Sequence, residues 1–201
     1  MKITTIFLLI GAAITLVFIA AQAYSSTSLS DIEKYSYNVL RTYDDFEVRQ
    51  YDAANFSYVK MPSSSYKASS GNGFRVLAGY IFGGNETQEK IAMTSPVTME
   101  MGDSIEMAFM IPNGYSMDDL PIPSNSNVNF KSEPRKVMAA IRFGGWASDE
   151  KIAEYTEQLK AALDREGIAY TGNFMYMGYN PPYTVVNRRN EVAVEVIYTE
   201  G

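Results

Sequence analysis

The chain contains no cysteine and no histidine. Without cysteine there is no disulfide, no thiolate nucleophile and no Cys-bound metal. Without histidine a Ser–His–Asp triad, a His general base and a His-ligated zinc are all excluded. Basic charge is short as well. Lys and Arg total 17 against 23 Asp and Glu, for a net charge of −6. That balance argues against nucleic acid as a partner, because phosphate binding needs a basic patch. What is plentiful is Tyr (15), Phe (10) and Met (11), which predicts an aromatic and adaptable core. The length of 201 residues suits one domain with a short accessory segment.

The accessory segment is N-terminal. Lys2 precedes an uncharged stretch, residues 3–23, long enough to span a bilayer. It also has the parts of a secretory signal peptide, with Ala21-Gln22-Ala23 as an A-x-A cleavage site. Residues 1–23 therefore read as a signal peptide or an N-terminal membrane anchor, and the small residues favour cleavage. Either way the domain is expected outside the cytoplasm, in a periplasmic or other extracytoplasmic space. Residues 24–42 read as a Ser/Thr-rich linker and a lead-in to the domain.

Beyond them, hydrophobic periodicity gives the elements. Phe46, Val48 and Gln50 alternate with Glu47, Arg49 and Tyr51, and a second strand follows over 54–61. Helix one is predicted over about 65–82, with Tyr66, Ser70, Phe74, Leu77 and Ile81 on one face. Gly71 and Gly73 predict a weak or broken first half. Gly83 and Gly84 end the helix through positive φ, and 86–90 is a solvated tip. Strands follow at 97–101 and 105–111, then a surface linker over 113–127 rich in Pro, Ser and Asn. The second half repeats the plan, with a strand at 137–143 and a helix capped by Ser148 and ended by Gly167. Two final strands flank the loop 179–189. Each half reads β-β-α-β-β. The fold class is α+β, with duplicated units forming a curved antiparallel sheet and two helices. A groove between the halves is the default ligand site.

Four segments carry a resemblance in order and spacing. They are FEVRQYD at 46–52, GYIFGGN with KIAMTSPV at 79–97, IRFGGWASDEKIAEYTEQL at 141–159, and YNPPYTVVNRRNEVAVEV at 179–196. Together they resemble the SOUL haem-binding protein family over nearly the whole domain, 43–201. The resemblance implies a pseudo-symmetric distorted barrel of two β-rich repeats. It also implies reversible, non-catalytic binding of haem or a related tetrapyrrole, for carriage or buffering. The pocket it implies lies between helix one and the loop before the last strand. On the helix that maps to Phe74, Leu77, Ala78 and Ile81, and on the loop to Tyr179 through Arg189.

Haem asks for an apolar slot, cations for two propionates and, optionally, an axial ligand. The helix-one stripe could be that slot or plain core. Arg188 and Arg189, with Arg75 or Lys67, could meet the propionates. Alternatively, Arg188 and Arg189 fix the turn beside Asn190 and Glu191. Axial candidates are Tyr80, Tyr179, Tyr183, Met175 and Met177, and gap-filling is the plainer reading of the methionines. Haem held without a protein axial ligand fits best. The pairs Asp44-Asp45 and Asp118-Asp119 read as solvated turn carboxylates, so no catalytic residue is expected. A different reading uses Glu195, which lies within the apolar run VAVEVIY. Domains of the gyrase-inhibitor-like group bind small molecules with a groove Glu, and some are hydrolases. The plainer reading of Glu195 is an outward strand residue.

Overall fold

The computed structural model describes residues 32–199, together with Ile10 and Thr15. Residues 3–23, read above as signal or anchor, lie almost entirely outside the described residues. Among the described residues no helix is long and apolar enough to cross a membrane.

The strands are β1 (Glu33–Lys34), β2 (Tyr37–Thr42), β3 (Glu47–Tyr51), β4 (Ala54–Met61), β5 (Thr94–Ser95), β6 (Val97–Glu100), β7 (Ile105–Met110), β8 (Asn129–Glu133), β9 (Lys136–Phe143), β10 (Ala169–Gly178) and β11 (Asn190–Ile197). The helices are α1 (Tyr66–Ile81) and α2 (Asp149–Glu166). Nine strands form one antiparallel sheet in the order β2-β3-β9-β11-β10-β6-β7-β4-β8. The repeat is visible as β3-β4-α1-β6-β7 followed by β8-β9-α2-β10-β11. The sheet is curved but not closed into a barrel, since β2 and β8 remain as its edges. The stretch read as linker and lead-in carries β1 and β2.

Both faces of the sheet are covered. On one face Phe46, Val48, Phe109, Ile141, Val192 and Val194 pack under α1 and α2. On the other, Tyr35, Tyr51, Phe56, Met110, Met138 and Met177 form a second core. Tyr35 touches the rings of both Tyr51 on β3 and Phe56 on β4, strands near opposite ends of the sheet. The sheet therefore curls toward this second face. Strand β3 is buried on both sides for that reason, with Val48 on one face and Arg49 and Tyr51 on the other.

Helix α1 is continuous, which corrects the expected break at Gly71 and Gly73. Gly71 faces open space, whereas a Cβ at Gly73 would stand 2.7 Å from Met61 Sδ and 3.1 Å from Met107 Sδ. The helix lies close to β4 and β7 here, and any larger residue would have to push the ends of the Met61 and Met107 side chains aside. What a glycine costs in helix propensity is offset by that approach. Gly84 is likewise a close-approach residue rather than a second positive-φ one. A Cβ there would meet the Gly79 carbonyl oxygen at 2.5 Å. The tip over 86–90 is exposed as expected, anchored by buried Asn85, whose amide donates to the carbonyls of Tyr80 and Glu89.

The two helix N-termini meet at one carboxylate. Asp149, in the first turn of α2, accepts from the backbone N–H groups of Tyr66 and Lys67 (the latter at 3.2 Å) and from Ser65 Oγ at 3.0 Å. Helix α1 has no acid in its own first turn, so Asp149 supplies the negative charge its dipole favours. Burial pushes the Asp149 carboxyl up, but the Lys67 and Tyr66 N–H groups and the Ser65 hydroxyl hold it below the ordinary value. A depressed carboxyl contributes stability above its unfolded pKa of about 3.9, and loses it as pH falls through the native value. Asp149→Ala is expected to cost about 1 kcal/mol at pH 7, as cap losses do, and much less near pH 3. Urea unfolding at the two pH values checks this; equal losses at both would contradict it.

Candidate functional site

The loop 179–189 leaves the sheet at Gly178 and returns at Asn190. Those two residues stand in one row with Val97, Phe109 and Phe143. Over Phe109 lies Phe74 of α1, edge to face at 5.4 Å between centroids. The loop root at Gly178 is two strands from Phe109, about 10 Å at ordinary strand spacing. Helix one starts at the other end of β4, beyond Met61, but its Phe74 thus overlies the row from which the loop leaves. Trp146 follows Phe143 at this end, and Tyr66 meets Tyr176 edge to face at 5.1 Å.

The helix-one residues divide sharply. Phe74 is 38% exposed, whereas Leu77 is 0% exposed and Ala78 and Ile81 are also buried. Leu77, Ala78 and Ile81 face the sheet and belong to the core, the plainer of the two readings of the stripe. Arg75 is exposed, with Asn72 Oδ1 3.2 Å away as its acceptor, and Lys67 is exposed as well.

The loop arginines are already engaged. Arg188 donates to the carbonyls of Pro181 (2.9 Å), Thr184 (2.7 Å) and Asn180 (3.3 Å). Its guanidinium also lies 4.1 Å above the Trp146 ring. Arg189 donates to Glu191 Oε1 at 2.8 and 3.0 Å and to the Tyr37 hydroxyl at 3.0 Å. Its guanidinium stacks on Tyr179, 3.9 Å from the ring centroid. Turn fixing accounts for both. Arg188 gathers the loop into a compact turn with Thr184 inward. Tyr183, Val185 and Val186 remain exposed at its tip.

The axial candidates separate in the same way. Met177 is buried in the second core, and Met175 packs against that core. The Tyr80 hydroxyl is buried and donates to the Pro121 carbonyl at 3.1 Å. The Tyr179 hydroxyl donates to Glu191 Oε2 at 2.8 Å. Tyr183 alone of the five is exposed. No group of three or more acidic side chains is poised to hold a metal among the described residues.

Sequence reasoning missed the centre of the second core, an ion-paired cluster around Glu191, which is 0% exposed. Arg49 donates to both its oxygens, at 2.7 and 3.1 Å, and to Glu47 Oε2 at 2.7 Å. Arg49 registers with Met138 and Glu191 with Arg142 on the intervening β9, so the pair spans that strand diagonally across small Ala140. Burial pushes the Glu191 carboxyl up. The hydrogen bonds and charge of Arg49, then the charge of Arg189 and the Tyr179 hydroxyl, hold it below the ordinary value. Burial also pushes the Tyr51 phenol up to about 12 and Tyr179 well above its ordinary value. The signal was slight: Arg49 is the one basic residue of β3, and Glu191 opens the apolar run of β11. By contrast, Glu195 is exposed on β11, which matches the plainer reading of it.

Among the described residues the open hollows include two. One of about 440 Å³ is polar and holds the exposed Arg165–Asp45 pair at 3.0 Å. The other, about 150 Å³, lies among Ile32, Lys34, Ser95, Tyr179, Asn180 and Arg189. It is smaller than the ~300–1,000 Å³ usual for a ligand cleft. Neither includes a residue of helix one.

Comparison with known proteins bears on this directly. The family model described as SOUL heme-binding protein matches residues 32–195. The chain belongs to the SOUL heme-binding protein family. Heme-binding protein 2 of Mus musculus is 31% identical over 156 residues, covering 73% of this chain and 76% of that protein. The Homo sapiens protein of the same name matches to the same extent. Heme-binding protein 1 of Xenopus tropicalis is 24% identical over 155 residues, covering 73% and 81%. Among solved structures the EcmrR C-terminal domain aligns with a TM-score of 0.59 at 8% identity, covering 81% of this chain and 99% of that one. A hydrolase from Listeria innocua aligns with a TM-score of 0.56, also at 8% identity, covering 79% and 94%. At that identity these two speak for the fold alone. For this SOUL chain, family membership supports haem as ligand.

The residues present fit haem as a surface ligand. Phe74 and the loop tip offer exposed apolar area, and Arg75 and Lys67 offer cations beside it. A buried axial ligand is not on offer, because Tyr80, Tyr179 and Met177 are engaged in the interior and Tyr183 is exposed.

Proposed function

We propose that this protein binds haem or a related tetrapyrrole reversibly and without chemistry, for carriage or buffering outside the cytoplasm. The macrocycle rests on Phe74 and on the tip of the 179–189 loop, with Tyr183 the contact nearest to an axial group. Arg75 and Lys67 of α1 meet the propionates. Arg188 and Arg189 act one step back, by holding the loop in shape. The observation that carries this reading is family membership over 32–195, joined to exposed apolar side chains on the two elements concerned. The uncharged run at 3–23 supports export, either released by cleavage or kept as a tether.

Haem titration of single variants tests the placement. Phe74→Ser and Tyr183→Ser each remove apolar contact worth roughly 1.5 kcal/mol or more, so each is expected to weaken haem binding about tenfold. Arg75→Ala is expected to weaken it less, with a loss that grows at low salt. Wild-type affinity in both Phe74→Ser and Tyr183→Ser would overturn the site.

A further inference from the structure

We propose that the tip of the 179–189 loop, together with Trp146, is the face this domain turns toward a lipid bilayer. The proposal rests on the tethered form of the reading above, in which residues 3–23 stay attached.

Four observations converge on this end of the molecule. First, the exposed apolar side chains cluster: Tyr183 is 63% exposed, Val186 53% and Trp146 55%, with Val185 beside them. Arg188 joins them into one patch, since it holds the loop carbonyls on one side and stacks on Trp146 on the other. Second, the domain's N-terminal end arrives at the same place. Ile32 and Lys34 line a cleft with Tyr179, Asn180 and Arg189, the two roots of the loop. Ser95, which registers with Lys34, donates from its hydroxyl to the Tyr179 carbonyl at 3.4 Å.

Third, the intervening chain is short. Only residues 24–31 separate the uncharged run from Ile32. Fully extended they reach about 28 Å at most, so a membrane-held run keeps this end of the domain near the surface. Fourth, the chemistry suits an interface. Trp and Tyr concentrate at the headgroup level, where one part of the ring is apolar and another is wet. Tyr179 through Asn187 contains no Asp or Glu, in a chain whose net charge is −6. Lys34, Lys151 and Arg188 flank the patch as cations, while Arg189 is paired with Glu191, and cations are drawn to anionic headgroups. A lipid-partitioning ligand would then meet its loop at the bilayer surface.

Trp146 is the single tryptophan of the chain, so its emission reports on this patch alone. The full-length chain is reconstituted into phosphatidylcholine and phosphatidylserine vesicles, with and without lipids brominated near the headgroup end of the acyl chains. The expected result is loss of about half or more of the emission in brominated vesicles, as for a ring at the interface. Val186→Asp is expected to abolish most of that quenching while the protein still sediments with the vesicles. If the wild-type chain sediments but is not quenched, docking is overturned and the tether stands. If a carbonate wash releases the chain, the tether fails and docking falls with it. Haem affinity is a separate readout and does not enter either outcome.

Discussion

Replacing Arg49 by Met is expected to lower stability by about 3–5 kcal/mol at pH 7, because it leaves a buried carboxylate without its main partner. For a domain of this size that is a fall in Tm of about 6–20 °C. Glu191 has no exposed surface, and Arg49 bonds both of its oxygens. Arg189 and Tyr179 remain in the variant, one on each oxygen, but the bidentate guanidinium of Arg49 is lost. The pH dependence has a definite sign. In the wild type the Glu191 carboxyl is held low, so its contribution is present above the unfolded value of about 4.3 and is lost as pH falls through the native value. Without Arg49, burial dominates and Glu191 takes up a proton more readily, so the loss shrinks in acid. Replacing Glu191 by Leu in the same chain is expected to restore part of the stability, since a matched apolar pair avoids the uncompensated charge. Chemical denaturation of the two single variants and the double variant measures the coupling. A loss below about 1 kcal/mol for Arg49→Met would mean that the cluster is hydrated.

Leu77→Ala is expected to cost about 2–5 kcal/mol, the range for a large-to-small change in a core. Phe74→Ala, one helical turn earlier, is expected to cost roughly 1 kcal/mol, mainly its edge-to-face contact with Phe109. The difference follows from burial, since Leu77 is sealed between α1 and the sheet while Phe74 reaches the surface. It also decides which substitutions inform on ligand binding. Leu77→Asp would place an unpaired charge in the core and unfold the domain, so lost haem binding in that variant says nothing about contact. Equal costs at 74 and 77 in thermal unfolding would contradict the division of the helix face.

The same helix shows how far sequence carries. Spacings of three and four place Phe74, Leu77 and Ile81 on one stripe, and the helix and its ends are where that pattern puts them. Periodicity tells which residues share a face, not how much of that face a sheet will cover. Leu77 and Ile81 fall in the covered part and Phe74 at its margin. Gly73 misleads for a related reason. Its helix propensity is local, while its use, the approach to Met61 and Met107, is tertiary. The strands β4, β9 and β11 were legible from alternation, and α2 from Ser148 and Gly167 at its ends. Arg49 and Glu191 lie 142 residues apart. Nothing in either strand alone says that both will flank β9 in the sheet. Arg188 and Arg189 look alike in sequence, yet one holds the loop and the other holds Glu191.

Haem binding at this loop is tested most directly by titrating the full-length protein with haem and following the Soret band, with serum albumin as competitor. The account predicts a saturable change at one equivalent that albumin does not strip, weakened by Phe74→Ser while that variant remains folded at the titration temperature. Uptake that never saturates and passes wholly to albumin would contradict it.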